Sequence, residues 1–225
     1  MTDFAKYHKI NGVMKRYTEG PKKGRFIWGD WARDEFETLK DCPWLWREKI
    51  DGTNIRIHVQ KDAESSTPQV SYGGRTDNAQ IPASLFARLR TLFDEADYEA
   101  VFGDALEGGV ILYGEGFGAG IQKAGASYGP VDFILFDVRI GHMWLEEDAI
   151  TSIAGALGIK RVPIIGTETL TNMLASMQVL EPTEVSEFDG VTCEGCVGYP
   201  VGGLLNRRGE RIITKLKFVD FADYN

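Results

Sequence analysis

The sequence has few cysteines and no long apolar run, and each shortage excludes a class of protein. Its three cysteines, Cys42, Cys193 and Cys196, are too few for a disulfide scaffold, so we expect reduced thiols. No apolar run approaches the roughly 20 residues that a membrane helix requires. The N-terminus, MTDFAKYHKI, has no signal-peptide core. We therefore expect a cytoplasmic protein without a membrane partner, which includes the case of a viral protein in a host cytoplasm.

Positive charge is also scarce overall, but it is unevenly distributed. The chain has 25 Lys and Arg against 33 Asp and Glu, a net charge of −8, which at first argues against a nucleic-acid partner. Residues 1–61, however, contain 13 basic against 9 acidic residues, and residues 206–217 contain 5 against 1. Binding to phosphates depends on the local field rather than on the total charge. Two interpretations of this distribution are possible at this point: a phosphate-binding surface and a random pattern of surface charge.

The apolar pattern predicts an α+β fold. Helical spacing occurs in DWARDEFETLKDC, IPASLFARLRTLFDEA, EEDAITSIAGALG and ETLTNMLASMQ. Strand patterns occur in NIRIHVQ, GGVILYGE, VDFILFDVRI, GVTCEGCVGY and ERIITKLKFV, and alternation in NIRIHVQ predicts a half-buried strand. KDAESSTPQ reads as a polar loop between two strands. Because strands and helices follow no regular βαβ rhythm, α+β is favoured over a doubly wound sheet.

The stretch REKIDGTN places a lysine, Lys49, at the end of a strand and just before an Asp-Gly turn. A lysine is costly to bury unless its amine has a partner or a function. A structural salt bridge and a nucleophile are both open on local features alone. An amine attacks only when it is unprotonated, and partial burial and neighbouring cations favour that form. Arg75, Lys215 and Lys217 are candidate cations.

Two further stretches contain candidate ligand-binding residues. LYGEGFGAGIQKAG is glycine-rich and follows a strand, but it is not G-x-G-x-x-G, and the chain has no G-K-[ST], so Rossmann and P-loop interpretations fail. What remains is Glu115 at a strand end, with glycines that let a ligand approach the backbone. In DFILFDV, most aromatic and aliphatic residues must be core, while one aromatic could stack on a base.

The C-terminal part contains a carboxylate and a lysine pair. Glu194 lies within a C-x-x-C, but the other cysteine and the scattered histidines do not complete a zinc site. A carboxylate facing a triphosphate would suit Mg²⁺, a hard ion that takes oxygen ligands. Lys215 and Lys217 are two residues apart on a predicted strand, so both point to the same face. A solvated face and a phosphate clamp are both compatible with this pair.

The order of these motifs resembles that of the covalent nucleotidyltransferases, which include polynucleotide ligases and mRNA capping enzymes. K-x-D-G is followed by an arginine, by Y-G-E, by F-D-V, by E-G and by K-x-K. The chain resembles the RNA ligase branch, which Asn54 favours because DNA ligases usually have arginine there. It is most similar to the RNA ligase 2-like family, through REKIDGTN, GEGFGAGIQK and ITKLK. The KYHKI start also resembles this family, although CEGCV matches only loosely the usual E-G-V-V-x-K. The resemblance covers roughly residues 5–218.

The resemblance implies an ATP-dependent RNA ligase and a role for each motif. Lys49 would attack ATP and form lysyl-AMP. The AMP would pass to a 5′-phosphate end of RNA, and a 3′-hydroxyl would then displace it. Lys215 and Lys217 would stabilise the α-phosphate, Lys215 being the better candidate for lowering the pKa of Lys49. Glu194 would help to hold Mg²⁺ or Mn²⁺. The nucleotide would contact the following residues: Glu48, Lys49, Ile50, Asn54, Arg75, Glu115, Phe136, Glu194, Lys215 and Lys217. Among them, Arg75 would bind phosphate or ribose, Glu115 the ribose and Phe136 the adenine.

The implied fold is a ligase adenylation domain, with two antiparallel sheets, flanking helices and the nucleotide in the cleft between the sheets. We expect one such domain over residues 1–225, acting as a monomer. The chain continues for only eight residues beyond Lys217, so we expect no C-terminal OB-fold or helical domain. Four cations of the basic N-terminal segment are candidates for docking RNA instead: Lys15, Arg16, Lys22 and Lys23.

Other functions stay open on the sequence alone. A ligase of the same mechanism could act on DNA nicks or on RNA/DNA hybrid nicks, because such enzymes read backbone geometry and the 2′-hydroxyl more than bases. A capping-type guanylyltransferase would use GTP instead of ATP. A binding module for nucleotides or RNA ends would have lost turnover. Against the last, each polar position expected from the resemblance is filled, from Lys49 to Lys217.

Overall fold

The computed structural model of the protein describes residues 5–62, 64–65, 67–123 and 125–222, except for the side chain of Glu184. The chain divides into two compact units. Unit 1 consists of Asp51–Val162 together with the segment that ends at His8. Unit 2 consists of Lys9–Ile50 and of the segment that begins at Pro163. The chain therefore passes from unit 2 into unit 1 directly after Ile50.

The elements mix short strands with short helices. The strands are β1 (Asn11–Gly12), β2 (Met14–Arg16), β3 (Phe26–Trp31), β4 (Pro43–Glu48), β5 (Thr53–Lys61), β6 (Pro68–Gly74), β7 (Val110–Phe117), β8 (Asp132–Ile140), β9 (Met143–Trp144), β10 (Lys160–Arg161), β11 (Ile164–Thr169), β12 (Gly195–Pro200) and β13 (Thr214–Lys217). The α-helices are α1 (Asp34–Thr38), α2 (Ala83–Phe93), α3 (Tyr98–Phe102), α4 (Glu147–Ala156), α5 (Leu170–Ser176) and α6 (Pro182–Val185). Short 3₁₀ helices span Gly103–Gly108, Gly125–Tyr128 and Phe218–Asp220.

Unit 2 is built on a sheet with the strand order β1-β13-β12-β4-β11, and β2 and β3 form a separate hairpin. β1 and β13 pair in parallel, while the other neighbours in the sheet are antiparallel. The inner strand β4 contributes two fully buried tryptophans, Trp44 and Trp46. Their indole N–H groups donate to the carbonyls of Leu39 and Glu168 at 2.8 and 3.0 Å. This packing holds β4 in place. Lys49, which follows β4 directly, is therefore attached to a rigid strand.

Unit 1 contains the larger sheet, with the strand order β10-β8-β7-β5-β6 and with β9 paired to β8. β10 and β8 are parallel, and the other pairs are antiparallel. Ile55 and Ile57 of β5 belong to the main core of unit 1, to which α2 contributes Leu85 and Leu89. Alternation along a strand puts the polar residues of β5 on the opposite face.

The prediction that NIRIHVQ forms a half-buried strand is wrong. Arg56 is completely buried and His58 is 6% exposed, so both faces of β5 are covered. The Arg56 guanidinium donates to the Gly74 carbonyl at 2.7 Å and to Asp77 at 3.0 Å. Burial also lowers the pKa of His58. The alternation correctly predicts which residues of β5 share a face, but the polar face is buried and its Arg56 has partners inside the protein.

Most other predictions of secondary structure, and the α+β class, are confirmed. α2 buries Leu85 and Leu89 as expected, and the GGVILYGE and VDFILFDVRI strands correspond to β7 and β8. The predicted strand in GVTCEGCVGY begins only at Gly195. The loop in KDAESSTPQ connects β5 to β6, although its residues 63 and 66 lie outside the described residues. Within the described residues, no helix combines the length and the apolar character needed to cross a bilayer.

Candidate functional site

Lys49 follows β4 directly, and strand pairing brings it next to two other strand ends. β12 places Cys196 opposite Glu48, and β13 places Lys217 opposite Gly195. The backbone N–H of Lys49 donates to the carbonyl of Gly195 at 2.9 Å. The sheet register therefore gathers the end of β4, the start of β12 and the end of β13 at one place.

Glu194 lies between two ammonium groups at this place. Lys49 Nζ donates to Glu194 Oε2, and Lys217 Nζ forms an ion pair with Glu194 Oε1. The side chains are 22% exposed for Lys49, 20% for Glu194 and 31% for Lys217. Burial alone would raise the pKa of Glu194, but the charges and hydrogen bonds of both lysines outweigh it and hold that pKa below its ordinary value. The carboxylate thus stays ionised and holds both amines.

The glycine after Glu194 is required by the close approach of β12 and β13. Gly195 has a φ of +153°, and a Cβ placed on it would come within 2.0 Å of the Leu216 carbonyl oxygen and 2.8 Å of Lys217 Cα. On β13, Lys215 and Lys217 are half-buried and alternate with buried residues, so they share a face as predicted. Lys217 shares Glu194 with Lys49.

Glu48 and Ile50, on either side of Lys49, are both buried. Ser186 Oγ donates to Glu48 Oε1 at 2.7 Å, and the backbone N–H of Glu187 donates to Glu48 Oε2 at 3.2 Å. Burial raises the pKa of Glu48, and these two hydrogen bonds oppose the rise only in part. Glu48 therefore ties the segment after α6 to the end of β4.

In unit 1, the strand register pairs Asn54 of β5 with Glu115 of β7. Directly opposite residues of antiparallel strands share a face, so these two side chains are neighbours. Asn54 Oδ1 is buried and accepts no hydrogen bond from the described residues. A Cβ on the preceding Gly52 would lie 2.3 Å from the Gly116 carbonyl oxygen and 2.7 Å from Glu115 Cγ. The absence of a side chain at Gly52, the glycine of K-x-D-G, thus allows its backbone to pack closely against Glu115 and Gly116.

Arg75 is exposed, whereas a second arginine, which sequence reasoning missed, is buried nearby in the fold. Arg56 contacts the Gly74 carbonyl, one residue before Arg75, and Asp77, two residues after it. Lys6 also binds Asp77, at 2.7 Å. Arg56 therefore anchors the segment on which Arg75 is exposed. The available signal was a charged residue at the centre of a strand that is otherwise rich in isoleucine and valine.

Phe136 sits at an irregularity of β8. The register pairs Tyr113 with Asp137 and Gly114 with Leu135, which leaves Phe136 without an opposing residue. Phe136 is only half-buried, and its ring lies edge-on to Tyr7, with centroids 5.0 Å apart. The Tyr7 hydroxyl donates to Asp137 Oδ2. The KYHKI start contributes to the family resemblance but does not predict these contacts of Tyr7.

The structure therefore assembles the predicted residues in two groups. In unit 2, Lys49 and Lys217 both contact Glu194, Lys215 shares a strand face with Lys217, and Glu48 and Ile50 flank Lys49. Asn54 and Glu115 are neighbours in unit 1, where Arg75 and Phe136 lie on other strands or loops.

Glu194 is the residue predicted to help hold a divalent cation. Its two oxygens already accept from Lys49 and Lys217, and the described residues contain no group of three or more His, Cys, Asp or Glu that could hold a metal. Mg²⁺ keeps several waters and is usually held by one or two carboxylates plus substrate phosphates. Because both oxygens of Glu194 are already engaged, this carboxylate would hold such an ion through water. Cys193 and Cys196 are buried free thiols.

Comparisons with known proteins identify the family and the fold. The family model described as RNA ligase matches residues 43–217. A search of curated proteins gave no match. Among solved structures, the chain is similar to a mutant of Naegleria gruberi RNA ligase with ATP and Mn, at a TM-score of 0.64 and 16% identity, covering 96% of this chain and 57% of that one. The same ligase with PPi matches at 0.63 and 16%, covering 99% and 58%.

A further mutant of the same ligase, with AMP and Mn, matches at a TM-score of 0.64 and 16% identity. These structural matches show that the fold is shared. The match to this mutant covers 100% of this chain and 59% of the other, so the present chain spans less than two thirds of the matched ligase chains. The family model, in contrast, covers most of the sequence, from the first residue of β4 to the last residue of β13. The chain therefore belongs to the RNA ligase family.

Proposed function

We propose that the protein is an ATP-dependent RNA ligase that forms a covalent lysyl-AMP intermediate and joins 5′-phosphate to 3′-hydroxyl ends. The observation that supports this most strongly is the contact of Lys49 and Lys217 with one carboxylate, Glu194. These residues come from three separate motifs, and only sheet pairing brings them together. One cation is enough to neutralise Glu194 in a structural salt bridge. A second ammonium group on the same carboxylate leaves a net positive charge, which suits an anionic substrate.

Lys49 is the nucleophile in this proposal. Its ammonium group first releases a proton to water, and the free amine then attacks the α-phosphorus of ATP. A new N–P bond forms, the P–O bond to the leaving pyrophosphate breaks, and the second amine proton passes to water. Lys49 suits this role because the backbone hydrogen bond to Gly195 and the fixed strand β4 restrict its position. Glu194 orients the amine. Because the pKa of Glu194 is held below its ordinary value, this carboxylate is suited to binding a cation and is a weak base.

Lys217 and Lys215 stabilise charge that develops on the α-phosphate. Both lie on one face of β13, and the Lys217 ammonium is already fixed by Glu194 before substrate arrives. Preorganised charges of this kind lower the barrier because they need no rearrangement during reaction. Glu194 would also help to hold Mg²⁺ or Mn²⁺ through water, and the bound ion would supply further neutralisation of phosphate charge.

The other residues named by the resemblance have separate nucleotide-binding roles in this proposal. Arg75 is exposed and supplies a guanidinium for phosphate or ribose. Glu115 contacts the ribose, Phe136 stacks on the adenine, and Asn54 offers a buried acceptor that no described residue satisfies. Glu48 and Ile50 shape the surroundings of Lys49.

The later steps follow the same chemistry. An oxygen of the RNA 5′-phosphate attacks the lysyl-AMP phosphorus, the N–P bond breaks, and Lys49 is regenerated. The 3′-hydroxyl then attacks the 5′-phosphorus, which forms the phosphodiester and releases AMP. We propose that the protein acts as a monomer in the cytoplasm and that its role is RNA repair.

The experiment is incubation with α-labelled ATP and Mg²⁺, followed by a denaturing gel, with Lys49→Ala beside the wild type. Lys40→Ala is the matched control, because Lys40 is in the same unit and lies over the Trp31 ring instead of near Glu194. Label should survive denaturation on the wild type and on Lys40→Ala and be absent from Lys49→Ala. Label from GTP in place of ATP would indicate a guanylyltransferase, and no label from either nucleotide would contradict the proposal.

A further inference from the structure

The hairpin of β2 and β3 presents a turn, residues 17–25, that we call the basic turn. Lys22, Lys23 and Arg25 are exposed on it, against one exposed carboxylate, Glu19. Neither Lys22 nor Lys23 forms an ion pair with any described residue. Tyr17 is 38% exposed, and Lys22 Nζ lies 5.9 Å from the centre of its ring. Cations beside an exposed aromatic ring are therefore concentrated on a protein whose net charge is −8.

The basic turn is held in shape by its backbone. Tyr17 N–H donates to the Arg25 carbonyl at 3.0 Å, and Gly24 N–H donates to the Tyr17 carbonyl at 2.8 Å. The Lys23 N–H also donates to the carbonyl of Gly20, at 3.1 Å. A turn closed in this way loses little conformational entropy when it binds a ligand.

Two neighbouring cations belong to the support of the turn rather than to its exposed face. Arg16 makes a two-pronged contact with Asp220, both distances being 2.7 Å, and also donates to the Gly24 carbonyl at 2.6 Å. Lys15 pairs with Asp30 at 2.6 Å. The expectation that all four of Lys15, Arg16, Lys22 and Lys23 are available for docking therefore needs correction, because two of them are already engaged.

We propose that the basic turn is a docking surface for the phosphate backbone of the RNA substrate, a proposal that rests on the proposed ligase function. Lys22 and Lys23 contact phosphates, and the exposed face of Tyr17 packs on a base or ribose. RNA is the partner that fits, because it combines regularly spaced anionic groups with flat rings. Arg16 acts as a positioning residue that fixes the turn on the 3₁₀ helix Phe218–Asp220.

The test compares two variants that lose the same formal charge. Lys22→Gln/Lys23→Gln neutralises the exposed face, whereas Lys15→Gln/Lys61→Gln removes two cations that are paired, with Asp30 and with Glu99. Binding of a fluorescent 5′-phosphorylated RNA is measured by anisotropy over a series of salt concentrations. The turn variant should bind more weakly, and its slope of log affinity against log salt should be smaller in magnitude by about 1.5. The control variant should match the wild type.

Self-adenylation with labelled ATP separates this proposal from the proposed function. Both double variants should label like the wild type, and the turn variant should seal pre-adenylated RNA with a raised KM and an unchanged kcat. Tyr17→Ala should weaken RNA binding without changing the salt slope, since it removes no charge. Equal salt slopes for the two double variants would overturn the docking surface, even if labelling succeeds. Loss of binding to anionic lipid vesicles, with RNA binding unchanged, would also overturn it.

Discussion

The ammonium group of Lys49 donates a hydrogen bond to the carboxylate of Glu194, a residue 145 positions away in the sequence. The contact exists because β12 pairs with both β4 and β13, so one sheet aligns three strand ends. Lys217 joins the same carboxylate from the other side. This arrangement fixes the position of the proposed nucleophile before any substrate is present.

Loss of the Lys217 charge should impair the covalent step specifically. Lys217→Met should reduce the rate of AMP labelling by about 10²–10³-fold, the usual cost of removing one preorganised stabilising group. Lys217→Arg keeps the charge and should recover part of the rate. Lys40→Met, in the same unit, should label at the wild-type rate. A Lys217→Met protein that is folded by circular dichroism and labels normally would exclude a role for this lysine in the chemistry.

Gly52 should tolerate no side chain. Its Cβ would approach the Gly116 oxygen to 2.3 Å, so Gly52→Ala must displace the backbone and should destabilise the protein by about 1–3 kcal/mol. Gly155→Ala is the matched control, because that helical glycine has open space around it and should gain about 0.5–1 kcal/mol. Urea unfolding of both variants measures the two effects. Equal stability of the two would mean that the backbone at Gly52 is not constrained by Glu115 and Gly116.

Substitutions of Arg56 and Arg75 should have different effects, the first on stability and the second on nucleotide binding. Arg56→Lys keeps the charge but loses the planar fork that reaches the Gly74 carbonyl and Asp77, so it should cost about 1–3 kcal/mol of stability. Arg75→Lys, at an exposed position, should change stability by less than about 0.5 kcal/mol. It should nevertheless raise the KM for ATP in the labelling reaction. The opposite pattern would show that Arg75, and not Arg56, is the structural arginine.

Acid should remove a stabilising contribution of Asp132. Burial alone would raise the pKa of Asp132, but hydrogen bonds from Lys160, Arg88 and the backbone hold it below the ordinary 3.8. A carboxyl with a lowered folded-state pKa stabilises the protein fully above its unfolded pKa and progressively less as pH falls through the folded value. Asp132→Asn should therefore cost about 1 kcal/mol at neutral pH.

The cost of Asp132→Asn should shrink as the pH falls below the ordinary carboxyl pKa of 3.8, because the wild type then loses the contribution of Asp132. Denaturant unfolding of the variant and the wild type over this range checks the trend. Asp104→Asn, at an exposed position, should differ from the wild type by less than about 0.5 kcal/mol throughout. A stability difference for Asp132→Asn that grows on acidification would contradict the assigned ion pairs.

Much of the fold and of the site could be predicted because the relevant signals are local. Apolar spacing located α2, β7 and β8, and the period of a strand put Lys215 and Lys217 on one face. The order of the motifs predicts Lys49 and Glu194 as site residues. Their contact was not predicted, since it depends on the register of β12 against two other strands, which sequence patterns do not give.

The buried polar residues could not be predicted for a related reason. Alternation assigned Arg56 to the polar face of β5, but whether that face meets water depends on parts of the chain far away in sequence. The same holds for Tyr7, whose partner Asp137 is 130 positions distant. Charges such as Lys15 and Arg16 looked available because their carboxylate partners become neighbours only after folding.

The most direct test of the central claim is to locate the adenylyl group. The protein is incubated with ATP and Mg²⁺, digested under non-acidic conditions, and analysed by tandem mass spectrometry for peptides that have gained one AMP. The account predicts AMP on Lys49, and its loss when a 5′-phosphorylated RNA is added before digestion. AMP on a different lysine, or none on a folded protein, would contradict the assignment of Lys49 as the nucleophile.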